Sequence, residues 1–362
     1  MSQSSLQNKL TLPFEGCPHE GTIIELPYRN DTWRLNALPA LRVFKEIVSI
    51  ISKYEKVFLL ASKEINESTI NDFKMNNVEI IRADYNDSWA RDNTLLFLSD
   101  GNKRVSIDYG FNAWGGLVDG LYPDYKADNL LGSRLIQYFK DESISKKNFI
   151  LEGGSIHSDG EGTLITTEAC LLSKGRNSNL TKDEIEEELK NTLGIEKVLW
   201  LPHGIYNDET NEHVDNMACF LAPGVIALAT TKDKNDIQYQ YSKMAIDYLN
   251  TQVDARGRKI RIVEINVPKT LYMTKEESSG LVKTDAIERN ENNRLAGSYI
   301  NFYMSDKFVL VPQFNVEEDK EALRILKEYY PNKDVYEINS REILLAGGNI
   351  HCITMQVPER KK

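Results

Sequence analysis

The sequence predicts an α/β or α+β fold, and three observations carry the prediction. Helix-like and strand-like segments alternate along the chain, the pattern of layered α/β domains. No stretch rich in Pro, Gly or Ser divides the 362 residues, so one unit over 1–362 is expected. A seven-residue pattern, L-x-G-G-x-I-H, occurs at 151–157 and again at 345–351, which hints at an internal module.

The elements follow in order. Residues 38–54 carry apolar side chains at helical spacing, and the apolar runs 57–61 and 78–83 read as buried strands. Thr181 and Glu184 stand at capping-box spacing and open a helix that Gly194 closes. A strand over 197–201 follows, then a strand over 225–229, a helix over 236–250 and a strand over 259–265. Residues 298–304 and 307–313 read as a hairpin turning at Ser305-Asp306, before a helix over 317–330 and a strand over 334–338. The last glycine pair lies in a strand-like stretch, 345–354. The polar stretch 274–296 has little pattern and reads as a loop, in a position to cover a site.

Composition removes several function classes. The net charge is −10 and Lys and Arg are scattered, so nucleic-acid binding is not expected. No apolar run approaches the ~20 residues that span a bilayer, and the first residues lack the apolar core of a secretory signal. Cys17, Cys170, Cys219 and Cys352 are far apart with no C-x-x-C pair, which argues against a zinc site or a disulfide scaffold and fits a reducing cytoplasm. No G-x-G-x-x-G or Walker A stretch opens a helix, so a nucleotide cofactor has no support.

Four polar clusters remain: Asp87–Asp92, Glu152–Gly154, Asp208–Asn216 and Gly347–Cys352. His213 and Asp215 are two apart, and on an extended segment they would project from one face. An imidazole and a carboxylate side by side can shuttle a proton and hold a cation. A thiol at Cys352 facing them would suit attack on an electron-poor carbon bearing nitrogen leaving groups. Taken singly, each cluster also has a plain structural reading: a packed cysteine, a solvated turn, a surface ion pair. Metal binding by His213, Asp215 and Asp92 lacks the usual ligand spacing.

Taken together, the stretches 111–122, 151–177, 197–201, 209–224 and 347–354 resemble the agmatine deiminases of the guanidine-modifying, or pentein, superfamily, along almost the whole chain. The resemblance implies a pseudo-fivefold α/β propeller of repeated ββαβ-like modules. It implies hydrolysis of the agmatine guanidinium to N-carbamoylputrescine and ammonia, through a covalent S-alkylthiouronium, with no metal or organic cofactor. By the same resemblance Cys352 is the nucleophile and His213 the proton shuttle. Asp92 and Asp215 hold the guanidinium, and Glu152 supports His213. Trp89 and Trp114 are pocket aromatics, and Glu209 is a candidate for the distal amine. It also implies a cytoplasmic homo-oligomer working in polyamine biosynthesis toward putrescine, with agmatine as its small cationic partner and no nucleic acid or membrane.

Departures flank the motifs. Thr94 and Leu95 stand where relatives carry Gly-Pro, Leu26 where many carry Trp, and Glu212 where they carry Gly. A glycine required for positive φ would leave Glu212 strained; otherwise Glu212 would add charge near the pocket. The alternatives to agmatine deimination are deimination of another guanidine, such as an arginine peptide, or amidino transfer. A third is guanidine or polyamine binding without catalysis.

Overall fold

The computed structural model describes residues 10–360. One arrangement recurs five times in it: a first strand antiparallel to a second, a helix, and a third strand parallel to the second. Chain ends make the first module. Thr354–Pro358 pairs with His19–Glu25, and the helix Leu38–Ile51 leads to Lys56–Ala61, with Val78–Arg82 added at the edge. The second module runs Leu96–Ser99, Arg104–Gly110, helix Lys126–Phe139, Glu142–Ile150. The third runs Ile156–Ser158, Thr163–Thr167, helix Lys182–Leu193, Lys197–Leu201. The fourth runs Ala218–Ala222, Val225–Thr230, helix Ile237–Leu249, Arg261–Asn266. The fifth runs Tyr303–Met304, Phe308–Gln313, helix Glu318–Tyr329, Asp334–Asn339. This is the ββαβ propeller that the resemblance implies. A helix is the ordinary way to join parallel strands, because the crossover must travel back along the sheet.

The local chemistry is what the sequence signals. Helix Leu38–Ile51 buries Phe44, Ile47, Val48 and Ile51, a stripe at three- and four-residue spacing. Helix Lys182–Leu193 has a full capping box between Thr181 and Glu184, and Gly194 ends it at φ 68°. Among the described residues no helix is long and apolar enough to cross a membrane.

Three expectations are corrected. Residues 298–302 are not strand; only Tyr303–Met304 pairs with the next strand, although the turn falls at Ser305-Asp306 as expected. Residues 347–353 are turn rather than strand, and the pairing begins at Thr354. His213 is not on an extended segment: it is the N-cap of a short helix, Val214–Met217, which carries Asp215. The echoed glycine pairs both precede a first strand, but that strand starts at Ile156 in one copy and only at Thr354 in the other. The stretch 274–296 is better ordered than a plain loop. A capping box at Thr274 and Glu277 starts helix Lys275–Ser279, and Arg294–Leu295 pairs with Leu271–Tyr272.

Candidate active site

Each module's first strand is preceded by a short turn or helix, and these five segments meet. They carry Arg91 and Asp92 (helix Ala90–Asn93), Glu152 with Gly153–Ser155, His213 with Asp215, Asn301, and His351 with Cys352. Gly154 marks the meeting point. A Cβ there would stand 2.6 Å from His213 Nδ1 and 2.9 Å from both Asp215 Oδ2 and Asp92 Oδ1, so only glycine admits the three side chains together.

Trp89, Asp92, Trp114, Glu209, His213 and Cys352 line one pocket. Asp215 and Glu152 are buried just behind its wall. Ala286, Ile287 and Arg289 of the 274–296 segment complete the lining, so this segment does cover the site. It is tied down by a bond from Ile287 N–H to the Leu121 carbonyl at 2.8 Å.

The Cys352 sulfur accepts from Asn301 Nδ2 at 3.3 Å, and its thiol points to Asp215 Oδ2 at 3.6 Å. Burial, then the charges of Asp215 and Asp92, push the thiol well above its ordinary range, so at rest it keeps its proton. Asp92 accepts from Gly154 N–H at 2.8 Å and from Trp114 Nε1 at 3.0 Å. Burial pushes it up to about 6, although His213 opposes this. Burial would also raise Asp215, yet the bond and charge of His351, with His213, bring it below the usual carboxylate range. His213 lies 3.9 Å from Asp92 Oδ2 through Nδ1 and 3.9 Å from Glu152 Oε2 through Nε2. Burial works against its charge, but Asp92, Cys170 and Glu152 hold it well above an ordinary histidine. Glu152 is itself paired with buried Arg176 at 3.1 Å.

Glu209 is paired with Arg289. Trp89 donates to Asp87 at 2.9 Å, stacks against Trp33 and meets Trp114 edge-on. Gly348 lets Trp89 come close, since a Cβ there would stand 2.3 Å from the indole.

The flanking departures resolve differently. Thr94 adopts φ −96°, which any residue can take, and its hydroxyl donates to the Ala90 carbonyl. Leu95 is core. Leu26 is core as well. Glu212 stands at φ 66°, so the condition for strain is met, at roughly 1–3 kcal/mol. Its carboxylate turns to Gly204 N–H at 2.8 Å and His203 Nδ1 at 3.0 Å and is not part of the pocket lining.

Residue patterns did not point to Asn301, Arg176, Arg289 or Glu15, and they placed His351 in a cluster without giving it a role. Asn301 had one available signal: like Cys352, it stands two residues before a module's first strand. Among the described residues, two trios have donor atoms within 4.8 Å of one another, Glu15–His157–His351 and Glu152–Cys170–His213. In the first, both nitrogens of His351 already face carboxylates.

Comparison with known proteins bears on this geometry. A family model described as Porphyromonas-type peptidyl-arginine deiminase matches residues 11–358. A Listeria monocytogenes (serotype 4b) protein, provisionally named agmatine deiminase 1, is 44% identical over 365 residues and 99% of both chains. A solved structure described as agmatine deiminase of Enterococcus faecalis catalysing its reaction is 34% identical. It superposes with a TM-score of 0.94 over 100% of this chain and 99% of the other. A C. jejuni agmatine deiminase variant with substrate bound is 28% identical, with a TM-score of 0.84 over 98% of both chains.

Proposed function

The chain belongs to the Porphyromonas-type peptidyl-arginine deiminase family, and from that premise we propose that it is an agmatine deiminase with Cys352 as nucleophile. Agmatine is hydrolysed to N-carbamoylputrescine and ammonia. The observation that carries this reading is the convergence of a thiol, an imidazole and two carboxylates at Gly154, beside a pocket with a further carboxylate, Glu209.

A guanidinium is a planar cation with several N–H donors, and carboxylates match it. Asp92 and Asp215 take its N–H groups and align the central carbon beside the sulfur, which supplies proximity. The resting thiol is protonated and flanked by acids, so the arriving cation favours thiolate, and the thiol gives up its proton to solvent as agmatine binds. Thiolate attacks the central carbon. Protonated His213, buttressed by Glu152, gives its proton to the departing nitrogen as the C–N bond breaks, leaving an S-alkylthiouronium and ammonia. Neutral His213 then takes a proton from water, whose oxygen attacks the same carbon. The C–S bond breaks as the new hydroxyl passes its proton to the sulfur, releasing the ureido product and restoring the thiol and protonated His213. Trp89 and Trp114 wall the pocket, and Glu209 receives the distal amine. To the same reading belong a single catalytic domain over 1–362, cytoplasmic residence, self-association, no cofactor, and a product destined for putrescine.

Purified protein incubated with agmatine should release ammonia and gain N-carbamoylputrescine by mass spectrometry, and Cys352→Ala should abolish turnover while still binding agmatine by calorimetry. Turnover of arginine peptides or of acceptor amines in place of agmatine would overturn the substrate assignment. A fully active Cys352→Ala would overturn the nucleophile.

A further inference from the structure

Behind the pocket lies a row of buried charges, of which the reaction above uses only the last, Asp215. His351 Nδ1 is 2.9 Å from Asp215 Oδ2, and its Nε2 is 2.7 Å from Glu15 Oε2. Glu15 also accepts from Arg91 Nη2 at 3.3 Å and from Met304 N–H at 3.1 Å. Arg91, Glu15, His351 and Asp215 are each at most 4% exposed. The signs alternate along the row. An ionised carboxylate only accepts, so a ring facing one at each nitrogen carries both protons. The backbone beside it is fixed too: Arg91 donates to the carbonyls of His351 and Cys352, and His351 N–H donates to Asn301 Oδ1 at 3.0 Å.

The consequence falls on Asp215. Its Oδ2 is held by His351, while Oδ1 has no hydrogen-bond partner despite complete burial. A carboxylate fixed at one oxygen cannot rotate, so the other is committed to one direction. An unmatched buried acceptor is costly unless something arrives to use it. Asp92 and Asp215 crowd this centre, and burial would raise Asp215 were there no cation beside it.

We propose that His351, backed by Glu15, is a positioning residue: as an imidazolium it fixes Asp215 Oδ2 and keeps that carboxylate ionised, so that Oδ1 is presented to the substrate's guanidinium. The proposal rests on the deiminase reading above.

Other groups act on the same atoms. Asp215 also faces His213, Arg91, Asp92, Asp208, Cys219 and Cys352. His351 also faces Arg91 and His157. Burial lowers His157 to about 4, so it stays neutral through the range of the test.

The test compares His351→Asn, which keeps an N–H donor without charge, with His351→Leu and Glu15→Gln. Agmatine binding is measured calorimetrically in the Cys352→Ala background, and kcat/KM against pH in the Cys352 enzyme. A charged hydrogen bond of this kind is worth about 10- to 100-fold in binding. His351→Leu should weaken agmatine binding by that factor at pH 6, and less at pH 8, where Asp215 ionises unaided. The acid limb of kcat/KM should move up by about 1–2 pH units, with His351→Asn and Glu15→Gln intermediate. An equal loss at every pH, or an unmoved limb in variants whose melting temperature and circular dichroism match the parent, overturns the proposal. Should His351→Leu fold poorly, Glu15→Gln alone decides by the same criteria. Failure of the wild type to turn over agmatine counts against the function, not this inference. Binding of the guanidinium ion to the Cys352→Ala pair would then be read instead.

Discussion

Asp92→Asn should remove activity and, as pH rises, gain stability relative to the wild type. Asp92 is buried, accepts from Gly154 and Trp114, and is pushed from 3.8 up to about 6 by burial. At about 1.4 kcal/mol per tenfold change in proton affinity, that rise is worth roughly 3 kcal/mol. The sign follows from linkage. A carboxyl whose folded value is raised holds its proton more tightly in the native state, so its stabilising contribution is present below pH 4 and lost as pH climbs through 6. Asparagine does not titrate. It does turn an NH2 group toward one of the two N–H donors, at a fixed cost of about 1–3 kcal/mol. The stability of Asp92→Asn minus that of the wild type should therefore shift in the variant's favour by roughly 3 kcal/mol between pH 4 and pH 7. Urea unfolding at a series of pH values measures this. Activity should move oppositely. Losing one partner of a buried ion pair costs about 3–5 kcal/mol, so kcat/KM for agmatine should fall by about 10²- to 10⁴-fold. In the wild type kcat/KM should decline below pH 6 as Asp92 takes up its proton. An Asp92→Asn enzyme within fivefold of wild type, or a stability difference flat with pH, would refute the reasoning.

Three further expectations follow from the same contacts. Trp114→Phe removes an N–H donor from the ionised Asp92, so the acid limb of kcat/KM should rise by about 1 pH unit. Glu209→Gln should raise KM for agmatine by about 3- to 10-fold, since this carboxylate is partly exposed. It should leave a butylguanidine that lacks the distal amine unaffected, and an equal effect on both compounds would remove Glu209 from amine recognition. Thr181→Ala breaks an exposed capping box that makes no contact with the pocket lining and should cost about 0.5–2 kcal/mol in thermal unfolding, with kcat unchanged.

Much of the fold was legible because its signals are local. The helix over 38–51 is announced by its apolar stripe, the one over 182–193 by Thr181, Glu184 and Gly194, and the inner strands by short aliphatic runs. What misled was the turns. Residues 298–304 and 345–354 are apolar and β-branched enough to read as strands, yet Asn301 and Cys352 must leave the sheet to reach the centre. His213 and Asp215 do come together, though by a helix N-terminus rather than by strand alternation.

The chain by itself determined the modules and the chemical types available: one thiol beside a histidine, a histidine two residues from an aspartate, glycine pairs before strands. Those follow from side-chain size, capping groups and spacing, which neighbours along the backbone settle between them. Only tertiary structure decided which of these groups meet and in what charge state. Asp215 and Cys352 are 137 residues apart, and His351 finds Glu15 across 336. The closing of the first module by the two chain ends, Thr354–Pro358 against His19–Glu25, draws them together in a buried space. There a carboxylate or thiol titrates according to its partners, and those partners come from every module at once.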